Sequence, residues 1–86
     1  MSDVSTEMPK YRCHKQVWAL KIGGILTKVD GGAVLAPRED GYAPLEVDAA
    51  YMAKHQPKVG GYYVVYEDGY KSFSPADAFE SGYTRL

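Results

Sequence analysis

Apolar residues along the chain come in short runs, each broken by a glycine pair, an Asp-Gly dipeptide or a proline. The pattern is clearest in the last third. Gly60-Gly61 opens the run Tyr62-Tyr63-Val64-Val65-Tyr66, Asp68-Gly69 interrupts it, and Tyr70 to Phe73 resumes it. Asp-Gly between two such runs predicts a β-hairpin with a two-residue type I′ turn. Ser74 then suits a helix cap, Pro75 the first helical position and Gly82 the exit, before a last strand over Tyr83 to Leu86.

A two-residue turn fixes the register. Glu67 faces Tyr70, Tyr66 faces Lys71, Val65 faces Ser72 and Val64 faces Phe73. Side chains alternate between the faces of a strand. Tyr62, Val64, Tyr66, Lys71 and Phe73 then form the core side, with the Lys71 stem lying along Tyr66. Tyr63, Val65, Glu67, Tyr70 and Ser72 form the other side, free for recognition.

The rest of the chain extends this scheme. Residues 1–9 are small and polar and read as a disordered lead to a single domain over 10–86. Lys10 to Lys15 is basic and extended. Val17 to Ile22 reads as a strand with Trp18, Leu20 and Ile22 on its apolar side, and Gly23-Gly24 as a bulge or bend within it. Ile25 to Val29 resumes the strand, and Asp30-Gly31-Gly32 turns it into Ala33 to Ala36. Glu39-Asp40-Gly41-Tyr42 is echoed 28 residues later as Glu67-Asp68-Gly69-Tyr70, an offset that also pairs Leu45 with Phe73 and Tyr51 with Phe79. The first copy opposes Pro37 to Pro44, neither of which has an N–H, so that hairpin opens early, widens into a loop or lies at an edge. Asp48 caps a helix over Ala49 to His55, which Gln56-Pro57 stops. The fold expected is α+β: a small antiparallel meander with two short helices, a strongly bent SH3-like roll being the alternative.

At 86 residues the chain holds one small domain, whose core is one sheet face covered by one or two helices. Cys13 is the only cysteine, so no internal disulfide forms and a reducing, cytoplasmic setting is expected. No apolar run approaches the roughly 20 residues that span a bilayer, and the start has no signal-peptide core. No membrane partner is expected. The net charge of −1 is uneven: residues 1–28 carry +3 and the remainder −4.

Few residues suggest chemistry. Cys13, His14 and His55 lack the paired spacing of a zinc site, and a Cys–His nucleophile pair needs the fold to join Cys13 to His55. The glycine pairs lack phosphate-loop spacing, and Glu39, Asp40, Glu67 and Asp68 flank turns that explain them. No catalytic residue, metal or cofactor is assigned. Tyrosine is the residue in excess, eight in all. Tyr42, Tyr63 and Tyr70, with Glu67, form the expected partner-binding set, because tyrosine anchors interfaces. The leading function is a non-enzymatic protein-binding module. The alternative is a nucleic-acid or nucleotide binder that stacks bases on sheet tyrosines beside Lys10, Arg12 and Lys15.

Two stretches, KYRCHKQVWALKI (10–22) and GGYYVVYEDGYKSFSPADAFESGYTR (60–85), resemble a group of small accessory proteins of tailed bacteriophages and prophages. The resemblance implies an early or accessory phage protein acting in the bacterial cytoplasm against a host or defence factor; the partner expected is a protein, of host or phage. It brings no mechanism and no site residues.

Overall fold

The computed structural model describes residues 8–12 and 16–85. Its elements are β1 (Lys10–Arg12), β2 (Gln16–Thr27), β3 (Ala33–Pro37), β4 (Leu45–Val47), α1 (Ala49–His55), β5 (Tyr62–Tyr66), β6 (Lys71–Ser74), α2 (Ala76–Gly82) and β7 (Thr84–Arg85). Every strand pairing is antiparallel. The class is the one expected: a small, strongly bent antiparallel sheet with two short helices.

The 12-residue strand β2 organises the sheet. Val17 and Trp18 pair with both β1 and β5, and Ile22 lies opposite Pro37 of β3 on one side while its N–H and C=O bond Gly61 and Gly60 on the other. A strand has two edges, so β1 and β3 share one and β5 takes the other. The expected irregularity lies between Ile22 and Gly24. A side chain at Gly23 would sit 2.9 Å from the Arg38 Cα, so only glycine lets the strands close there. The bulge bends β2 so that its first half belongs to one sheet with β5 and β6, and its second half to another with β3 and β4. α1 carries the chain from β4 to the far edge of β2 and faces β6.

α1 has the limits its sequence predicts. The Asp48 carboxylate accepts from Tyr51 N–H at 2.8 Å, and Gln56 ends the helix in the left-handed region at φ 46°. α2 departs from expectation at its start. Ser74 is the last residue of β6, and its hydroxyl donates to the Pro75 carbonyl at 3.4 Å; Pro75 takes the N-cap position, where no side chain caps.

The Asp68-Gly69 turn is one residue longer than the type I′ reading, and the turn at Asp30-Gly31 has the same form. Tyr66 N–H donates to Tyr70 C=O and Gly69 N–H to Tyr66 C=O, with Gly69 at φ 90°. Lys28, Gly31 and Gly32 repeat those bonds, with Gly31 at φ 93°. In each turn the Asp carboxylate accepts the N–H two residues on. These are three-residue loops whose last residue is a left-handed glycine. The extra residue moves the register by one, so Tyr63 pairs with Phe73 and Val65 with Lys71. A one-residue slip exchanges every side chain's face on one strand relative to the other.

Two cores result. The inner one gathers Leu20, Ile22, Ala33, Leu35, Val47, Tyr51, Tyr63 and Val65. The outer one gathers Val17, Ala19, Tyr62, Val64 and Phe79, the last from α2. β5 is thus buried on both faces, which accounts for its unbroken apolar sequence. Residues 1–7 of the expected lead lie outside the described residues. Met8 and Pro9 are not part of any lead: Met8 is buried in the inner core, and the Pro9 carbonyl accepts from Ala19 N–H at 2.9 Å.

Candidate protein-interaction surfaces

The four residues expected to bind a partner do not form one surface. Tyr63 is 5% exposed and lies in the inner core, its ring centroid 5.6 Å from that of Tyr51. The expectation that it faces a partner is corrected: with both sides of β5 covered, neither can be the free one. Burial also raises the pKa of its hydroxyl. Tyr42 is half-buried against the inner core, its hydroxyl 3.4 Å from Arg85 Nη2. Arg85 also makes a bidentate pair with Glu39 at 2.7 and 3.0 Å, which ties β7 to the β3–β4 loop and lowers the Glu39 pKa.

Glu67 and Tyr70 do sit together at the exposed β5–β6 tip. The Tyr70 ring, 45% exposed, stacks on Tyr66 at 6.0 Å and meets the edge of His55 at 6.1 Å. Lys54 Nζ lies 5.2 Å from its centroid. α1 thereby braces the hairpin tip, helped by the Tyr51 hydroxyl, which donates to the Ser72 carbonyl at 2.7 Å. Tyr70 is a fixed aromatic with one side open to solvent.

Of the basic residues in the nucleic-acid alternative, Lys15 lies outside the described residues, as do Cys13 and His14. Lys10 holds its ammonium 5.4 Å from the Trp18 ring centroid, a half-buried cation–π contact. Among the described residues nothing accepts from Trp18 Nε1.

Most carboxylates hold the fold. Asp30, Asp48 and Asp68 cap backbone N–H groups, while Glu39, Glu46 and Glu80 pair with Arg85, Lys28 and Lys21. Glu80 Oε2 receives Lys21 Nζ at 2.9 Å and the Tyr62 hydroxyl at 2.7 Å, and the Lys21 bond is the larger cause of its lowered pKa. The same carboxylate raises the Tyr62 pKa, after burial. Among the described residues no cluster of three metal-ligating side chains occurs, and no helix is long and apolar enough to cross a membrane.

One apolar surface was not anticipated. On the outer face of the β2–β3 ribbon Leu26 pairs with Val34 and Gly24 with Ala36. Leu26 is 70% exposed, Ala36 is exposed, and Val29 stands fully in solvent at the turn. The signal was available in the alternation of Ala33 and Leu35 with Val34 and Ala36, all four of them apolar.

No protein-family model matches the chain, and no match to it was found among curated proteins. Among solved structures it is similar to the solution NMR structure of the monomeric form of the phage L decoration protein. The identity is 32% and the TM-score 0.70, over 90% of this chain and 58% of that protein. The likeness is to a phage protein. It holds in sequence and in fold together, in keeping with the phage resemblance of residues 10–22 and 60–85. The chain spans 58% of that relative's length, so the match concerns one part of it.

Proposed function

We propose that this chain is a non-enzymatic phage decoration module, which attaches to assembled capsid protein by surface contacts. One observation carries the reading: the 32% identity and TM-score of 0.70 to the phage L decoration protein over 90% of the chain. Decoration proteins bind phage capsid proteins, so a capsid is favoured over a host or defence factor. The carboxylates described above give further support, since they cap turns and pair with cations and need no catalytic explanation. The module is made in the cytoplasm of the infected bacterium and carried on the particle.

The test uses heads of the phage that carries the gene, assembled without this chain. Purified protein is added and the heads are pelleted. Saturable co-sedimentation at a fixed number of copies per head is expected. Protein left in the supernatant at micromolar concentration, or a steeply salt-dependent affinity for DNA in its place, would overturn the proposal.

A further inference from the structure

Resting on the capsid reading, we infer that the outer face of the β2–β3 ribbon is the capsid-facing surface, and that its occupant is an amphipathic helix of the capsid protein. The molecule shows what covers such a face. The 28-residue echo holds in the backbone: Leu35 pairs with Leu45 as Tyr63 pairs with Phe73, and Val34 with Glu46 as Tyr62 with Ser74. Gly41 and Gly69 take the same positive φ, 95° and 90°. Val34 and Ala36 are therefore the counterparts of Tyr62 and Val64. In the second half α2 folds back over that outer face and lays Phe79 on Tyr62, ring centroids 4.2 Å apart. In the first half the helix goes the other way: α1 turns inward, with Tyr51 on Tyr63. Among the described residues nothing packs on the outer face of β3, where β5 has a helix. Leu26 and Ala36 supply the exposed apolar centre, and the Lys28–Glu46 pair at 2.7 Å lies on the rim. A helix presenting an aromatic or large aliphatic side chain fits there as α2 fits on β5.

Leu26→Glu and Ala36→Lys, each at an exposed position, should weaken binding to heads at least tenfold and leave the melting temperature nearly unchanged. Asp77→Asn and Val59→Ser, at exposed positions on other surfaces, should bind as the unaltered chain does. A photo-crosslinker at position 26 should join a helical segment of the capsid protein. Full binding by both ribbon variants overturns the inference, as do crosslinks to a loop or strand. It is overturned too if Leu26→Glu only dissociates a self-associated form, which would make a second copy the occupant. If the unaltered chain fails to bind heads at all, the decoration reading fails first.

Discussion

Removing one side chain, Phe79, should cost this protein about a third or more of its stability. α2 has seven residues and no side-chain cap, too short to persist alone in water. Phe79 is its only buried residue and is 1% exposed. The ring stacks on Tyr62 at 4.2 Å and on Tyr83 at 4.5 Å, and meets Tyr11 edge-on at 4.7 Å. Phe-to-Ala changes in cores cost about 3–5 kcal/mol, and with three aromatic neighbours we expect about 4 kcal/mol. A domain of this size has roughly 4–13 kcal/mol in total. The melting temperature should fall by roughly 15–30 °C. Phe79→Leu keeps much of the volume and loses the ring stacking, so it should cost about 1–2 kcal/mol. Urea unfolding followed by Trp18 fluorescence measures both. A loss below about 1 kcal/mol for Phe79→Ala would show that α2 does not depend on this ring, and the two-core account would fail.

Gly69→Val should cost about 1 kcal/mol or more through its φ of 90° alone, because nothing lies within 4 Å of the added Cβ; a neutral result in thermal unfolding would reject the three-residue loop. Tyr63→Ala should destabilise by about 3–5 kcal/mol as a core truncation, whereas Tyr70→Ala at the tip should cost far less; equal losses would contradict the burial assignment. Glu39 and Glu80 have lowered pKa values, so their contribution is complete above the ordinary carboxylate value and is lost as pH falls through the lowered one; acid unfolding should flatten in the Glu80→Gln variant. Tyr51, Tyr62 and Tyr63 have raised values. Stability should therefore decline as pH rises past the ordinary tyrosine range, together with tyrosinate absorbance; free ionisation of all eight tyrosines without unfolding would refute it.

Elements set by local chemistry were legible in the sequence. Asp48 and Gln56-Pro57 bound α1 correctly because a cap and a helix stop act within a few residues. Gly23-Gly24 marked the bend in β2 for the same reason. The β5–β6 register was not legible, since Asp-Gly suits both a two-residue and a three-residue loop, and one residue decides which way Phe73 points relative to Tyr63. That error made a recognition face of Tyr63 and Val65. The run from Tyr62 to Val65, apolar at every position, already carried the signal of two-sided burial. Arg85–Glu39 and Lys21–Glu80 join residues far apart in sequence, and no local pattern announces them. Of the expected partner-binding set, Glu67 and Tyr70 share the exposed β5–β6 tip, while Leu26, Val34 and Ala36 were read only as strand residues.

The most direct test is a reconstruction by electron cryomicroscopy of heads assembled without this chain and then saturated with it. The account predicts added density on the capsid, of a size that fits a domain with a radius of gyration of 12.2 Å. Leu26 and Ala36 should lie against a helix of the capsid protein. Heads without added density, or density in which the Leu26 face looks out to solvent, would contradict it.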